Sequence, residues 1–152
     1  GFPVHKCACG ETAVEVPNVE ELHTIIAGGL LRDPRLLVGK EIKFLRKQMK
    51  LKAVELANRL GINTVTLSRW ENNTESIGQA NDKLLKLVFV FYYIKDLTEK
   101  GLISPKLMRK YVEFANQIAT MRQVTQKRRR IQISEAALQR VPETELLLTG
   151  IA

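Results

Sequence analysis

The sequence predicts a mainly α-helical chain that opens on a small β-containing segment. Three observations carry that prediction. Apolar residues recur at helical spacing through most of the chain after Val19, as in Ile42, Leu45 and Met49. Helix start and stop residues punctuate those stretches: Asn63 before "TVTLSRWE", Ser104-Pro105 before "KLMRKYVEF", and Gly61 and Gly101 at two helix ends. Alternation of apolar and polar residues is confined to the region of Val14 and Val16. This reads as a short strand after a Gly turn, stopping at Pro17-Asn18.

The elements follow in order. "VEELHTIIAGGLL" places Leu22, Ile25 and Ile26 at helical spacing, with Asn18 as the N-cap and Glu21 three residues on. Gly28-Gly29 and Asp33-Pro34 then read as breaks. From Val38 onward, Ile42, Leu45 and Met49 line one helix face. Val54, Ala57 and Leu60 line the next helix, which Gly61 ends in a left-handed cap. Asn63 caps the short helix that follows, and "NNTESIG" is a polar loop. A long helix runs from about Gln79 to Lys100, stopped by Gly101, with apolar residues around almost its whole circumference. Such a helix is buried from several sides or lies in an oligomer interface, although "LVFVFYY" alone is β-prone. Ser104 as N-cap and Pro105 at the first position start a further helix, extending to about Gln123. "QKRRR" (Gln126 to Arg130) is a charge run, "IQI" a short strand and "SEAALQRV" a capped short helix before Pro142.

Composition narrows the function classes. The 152 residues suffice for one ordinary domain or two small ones, and a hydrophobic content of 45% allows a packed core and excludes wholesale disorder. Lys and Arg number 24 against 16 Asp and Glu, a formal net charge of +8, which favours a polyanionic partner through counterion release. Cys7 and Cys9 are too few for a disulfide scaffold and too close for an easy disulfide. The longest apolar run, Leu84 to Ile94, contains Lys86 and is too short to span a bilayer. With no signal-peptide pattern at the start, the expectation is a cytoplasmic protein without a membrane partner.

The helix starting at Thr64 carries the functional signal. At about 100° per residue, Leu67 and Trp70 fall together with Thr66 at their edge, and Thr64, Val65, Ser68 and Arg69 take the opposite arc. A helix ending in Leu60, a Gly turn and a capped start precede it. That is the grammar of a helix-turn-helix, whose second helix enters the DNA major groove. The residue types suit the task. Arg69 can donate two hydrogen bonds to a guanine edge, Thr64 and Ser68 can bond a base or phosphate, and Val65 can pack on a thymine methyl.

The stretch "VGKEIKFLRKQMKLKAVELANRLGINTVTLSRWENN" resembles the helix-turn-helix of the Xre or lambda-repressor family. Ala57, Gly61, Trp70 and Glu71 match that family's small residue, turn glycine, hydrophobic anchor and acidic residue. The resemblance implies base reading by Thr64, Val65, Ser68 and Arg69, and a pairing of Glu71 with Arg46. It departs at Lys52-Ala53, where the family often has Ser or Thr followed by a phosphate-touching Gln; Lys52 can substitute. The full set of expected DNA contacts is Lys52, Asn63, Thr64, Val65, Thr66, Ser68, Arg69, Asn72 and Asn73. Upstream, "KCACGETAVEVPNVEELHTIIAGGLL" is similar to the MqsA-like (YgiT-type) antitoxins and regulators, which join a zinc-binding N-terminal domain to this kind of helix-turn-helix. Those proteins commonly hold zinc through two Cys-x-x-Cys pairs, whereas here Cys7 and Cys9 are the metal ligands on offer, with His5 as a third candidate. Tetrahedral zinc needs four ligands, so either a first pair lies upstream of Gly1 or the site has decayed.

The sequence thus divides into a degenerate zinc-knuckle-like segment (1–35), a lambda-repressor-like helix-turn-helix domain (36–101) and a helical C-terminal extension (102–152) with a basic segment. The expected function is a dimeric repressor on a double-stranded DNA operator, dimerising through residues beyond Gln79. The rival is an antitoxin that neutralises a protein toxin, and a weaker third reading is a metal-dependent sensor. Nothing argues for an enzyme: His5 and His23 stand alone, and Glu20-Glu21 opens a helix where the dipole favours acids. Phe89, Phe91, Tyr92 and Tyr93 belong to core or dimer interface rather than to a base-stacking platform.

Overall fold

A computed structural model describes residues 4–6, 12–14, 18–124 and 142–148. Strands β1 (Val4–Lys6) and β2 (Thr12–Val14) pair antiparallel with Val4 opposite Val14. The cysteines on which the expected zinc knuckle rests lie outside the described residues. Among the described residues the helices are α1 (Val19–Arg32), α2 (Gly39–Gln48), α3 (Ala53–Leu60), α4 (Thr64–Glu71), α5 (Gln79–Glu99) and α6 (Pro105–Thr120), with a 3₁₀ turn at Glu143–Glu145. None of the described helices is long and apolar enough to cross a membrane.

Local chemistry sets the boundaries. Gly61 ends α3 at φ 66° and Gly101 follows α5 at φ 69°, left-handed positions that favour glycine. The Asn63 side chain accepts from the Val65 N–H at 2.8 Å, and Ser104 Oγ accepts from the Leu107 N–H at 3.2 Å. Glu41 and Glu55 reach back to the backbone N–H groups of Val38 and Lys52, each three residues earlier, at 2.9 and 2.6 Å. Asn18 behaves differently from the expectation. It precedes α1 in a left-handed conformation, φ 57°, and its side chain makes no capping bond.

Other elements depart from the sequence reading for packing reasons. α1 runs straight through Gly28-Gly29 instead of breaking. A Cβ at Gly28 would stand 2.5 Å from the Leu147 carbonyl oxygen, so this glycine admits the C-terminal turn. On α3 the core face is Leu56, Ala57 and Leu60; Val54, expected inside, is exposed. α6 stops at Thr120 rather than near Gln123, because the next residues run back to the α1–α2 connection: the Val124 N–H donates to the Pro34 carbonyl at 3.2 Å. The charge run, the "IQI" strand and the "SEAALQRV" helix lie outside the described residues, as do Cys7 and Cys9.

One hydrophobic cluster gathers residues from every described helix, among them Leu31, Ile42, Leu56, Leu67, Leu85 and Tyr111, together with Leu147. The 142–148 segment is pinned to it by polar contacts. The buried Tyr111 hydroxyl donates to the Thr144 carbonyl at 2.7 Å, and Lys110 meets Glu145 at 2.8 Å. Arg32 donates to the Leu147 and Leu148 carbonyls while its guanidinium lies 4.5 Å from the Phe114 ring centroid. Burial pushes the Tyr111 phenol far above its ordinary value, so it stays a neutral donor.

Candidate nucleic-acid interface

The α3–turn–α4 unit is held by contacts from three sides. Leu67 and Trp70 are buried under α4, against α2 and α3. The start of α2 presses on the end of α4: a Cβ on Gly39 would stand 2.6 Å from the Trp70 carbonyl oxygen. Arg46 on α2 makes a two-pronged ion pair with Glu71, Nε to Oε1 at 2.6 Å and Nη2 to Oε2 at 2.9 Å. Its Nη1 also donates to the Leu51 carbonyl at 3.1 Å, so one side chain ties α4 to the α2–α3 turn. The Glu71 hydrogen bond holds the Arg46 guanidinium above its ordinary value.

This scaffold sorts the residues expected at the interface. Val65, Ser68, Arg69 and Asn72 are exposed on α4 and its end, with Val65 retaining 56% of its surface. Thr64 and Thr66 are half-buried flanks rather than open contacts. Asn63 spends its side-chain oxygen on the cap, and Asn73, at φ 57°, spends its own on the Gly39 N–H at 2.8 Å. Asn72 Nδ2 lies 3.4 Å from Ser68 Oγ, and Arg69 faces Glu75 at a loose 3.8 Å. Lys52 is exposed at the start of α3. The outward face is thus small, weakly paired and cationic at one point.

Two features were not singled out in the sequence. Lys40, Lys43 and Lys47 are all exposed and follow one stripe of α2, legible from their spacing of three and four residues. Beneath the α1–α2 connection, Asp82 and Lys86 form a 2.9 Å ion pair with side-chain exposures of 0% and 1%. Asp82 accepts from the Leu37 N–H at 2.8 Å and from Gln123 Nε2 at 2.9 Å, while Lys86 donates to the Asp33 and Arg35 carbonyls at 2.8 and 3.3 Å. Above it, Asp33 and Arg35 pair through two hydrogen bonds. Burial pushes the Asp33 carboxyl up, but the Arg35 bonds outweigh it and hold that carboxyl below its ordinary value. Among the described residues no group of three or more His, Cys, Asp or Glu could hold a metal ion.

Residues 42–85 match the Helix-turn-helix family model, from within α2 into α5. The chain therefore carries a helix-turn-helix domain, the class that its fold and exposed α4 face also define. It is similar to Antitoxin PezA of Streptococcus pneumoniae serotype 4, 33% identical over 69 residues that make up 45% of this chain and 44% of the relative. The chain spans less than half the length of that curated relative. No solved structure matches it.

Proposed function

We propose that the chain is a sequence-specific, DNA-binding transcriptional regulator that seats α4 in the major groove of a double-stranded operator. The observation that carries this reading is the outward face of α4. Val65, Ser68 and Arg69 stand exposed on a short helix braced from behind by Leu67, Trp70 and the Arg46–Glu71 pair. In this reading Arg69 takes a guanine edge, Val65 a thymine methyl, and Ser68 and Asn72 a base or phosphate. Thr64 and Thr66 contribute from the rim. Asn63 and Asn73 act mainly through their backbone bonds, and Lys52 holds a phosphate near the start of α3. One such helix reads few base pairs, so the regulator acts as a homodimer on half-sites about one DNA turn apart.

Selection of bound duplexes from a random pool, followed by salt titration, tests the reading. A recovered palindromic motif with steep salt dependence supports it. Recovery of unrelated sequences bound with one affinity overturns it. A second reading, neutralisation of a protein toxin, is favoured by the similarity to Antitoxin PezA. Co-expression with the product of the adjacent gene tests it, with restored growth as the supporting result and undiminished toxicity as the opposing one.

A further inference from the structure

The loop that leaves α4 sets an acid beside the cation of the exposed α4 face. The chain turns left-handed at Asn73, φ 57°, whose side-chain oxygen accepts from the Gly39 N–H at 2.8 Å. The next two residues fold back on Arg69. Its carbonyl accepts from the Thr74 N–H and the Thr74 hydroxyl, each at 3.0 Å, and from the Glu75 N–H at 3.4 Å. Ile77 then anchors the far end of the loop in the core. The backbone of Glu75 is therefore held against that of Arg69. Its carboxylate stands 3.8 Å from Arg69 Nη1, and both side chains are open to solvent, Arg69 at 60% and Glu75 at 50% exposure. Among the described residues neither side chain has another ion pair or hydrogen bond.

A surface pair this open adds little to stability. Beside a polyanion it also costs affinity, because the carboxylate and a phosphate on Arg69 would stand inside the screening length of about 8 Å. What the carboxylate can supply is discrimination. A guanidinium carries donors on more than one edge, so Nη1 can face Glu75 while Nη2 and Nε take a base. A guanine edge offers the uncharged acceptors O6 and N7 and leaves the ion pair intact. A phosphate in the same place would bring two anions together, which is a repulsive element against the wrong contact. We infer that Glu75 is a positioning residue for base reading: it holds one edge of Arg69 and disfavours phosphate there, lowering affinity but raising selectivity. This role rests on the DNA-binding reading.

The test measures binding of the full chain to its selected duplex and to an unrelated duplex of equal length, and reads the ratio of the two affinities. Glu75→Gln should strengthen binding to the unrelated duplex by about two- to fivefold, the scale of one exposed charge pair, and to the selected duplex by less, so the ratio falls. Glu113→Gln removes an exposed acid on α6, changes the net charge equally and should leave the ratio at its wild-type value. With Arg69→Ala already in place, Glu75→Gln should no longer lower the ratio, because its effect runs through Arg69. Three results overturn the inference while the DNA-binding reading stands: a ratio unchanged or raised in Glu75→Gln, one lowered as much by Glu113→Gln, or one lowered as much in the Arg69→Ala background. A wild-type ratio of one removes that reading, and the role of Glu75 with it.

Discussion

Arg69 and Lys52 are both exposed cations, yet their settings forecast opposite behaviour. Arg69 is weakly held by Glu75 at 3.8 Å, so releasing it toward a base edge costs under about 1 kcal/mol. Arg69→Ala should lose about 1–3 kcal/mol of operator binding and relax preference mainly at one base position. Lys52→Ala should weaken all sequences alike and flatten the salt slope by about one unit. Selection and salt titration on both folded variants check this, and wild-type preference in Arg69→Ala would show the recognition role to be misassigned. The Arg46–Glu71 pair, with side-chain exposures of 14% and 9%, is shielded enough to matter for stability. Removing either partner strands the other, and Glu71→Gln should cost toward the lower end of about 3–5 kcal/mol in urea unfolding. A loss below about 0.5 kcal/mol would place the pair with solvated ones. Asp33 supplies a pH signature. Its folded value lies below the ordinary carboxylate value, so its stabilisation is present above about pH 3.9 and lost as pH falls through the folded value. Asp33→Asn should therefore flatten the acid limb of the stability curve, and an unchanged limb would mean other carboxylates set it.

At the level of elements, two glycines reverse the usual helix rule. Alanine is better than glycine inside a helix by about 0.8–1.0 kcal/mol, so Gly28→Ala in the middle of α1 should stabilise by propensity alone. Here its Cβ would strike the Leu147 carbonyl at 2.5 Å, and one on Gly39 would strike the Trp70 carbonyl at 2.6 Å. Both are backbone atoms that cannot rotate away, so each substitution should destabilise by about 1–3 kcal/mol. A melting temperature equal to wild type in either variant would show that these contacts yield. The same glycines explain where sequence reasoning stopped. Gly28-Gly29 reads as a break because propensity is local, while the reason for the glycine is a carbonyl far along the chain. The left-handed Gly61, the Asn63 cap and the Ser104-Pro105 start were legible because each is satisfied within a few residues. Leu67 and Trp70 were legible from helical phase. Val54 was not, because an eight-residue helix tolerates two phases and tertiary contacts chose Leu56. Asp82 and Lys86 were not singled out, because their i,i+4 spacing is the same for an exposed and a buried pair; the α1–α2 connection and Gln123 folding over them make it a buried one. At the DNA-facing side, residue types on α4 were readable, but the diversion of Asn73 to Gly39 depends on a contact across the fold.

For the molecule as a whole, the open question of assembly centres on α5. Its inner face is used up: Leu85, Phe89, Val90 and Leu97 are buried in the common core. Leu84 keeps 40% of its surface and Phe91 63%, with half-buried Leu87 and Val88 between them. Residues seven apart drift by only about 20° on a helix, so these four form one outward apolar seam. The formal charge of +8 opposes self-association, so a dimer must draw its stability from covering apolar surface such as Phe91. We expect a homodimer through this seam, bringing two α4 helices to one operator with matching two-fold symmetry. Light scattering at micromolar concentration should give twice the 17.2 kDa chain mass. Phe91→Glu sets a charge against its symmetry mate without disturbing the buried face, and should halve that mass. It should also weaken binding to a palindromic site far more than binding to a single half-site, since the lost term is the coupling between helices. A wild-type chain that is monomeric at micromolar concentration and still binds the palindrome tightly would remove the seam from the recognition mechanism.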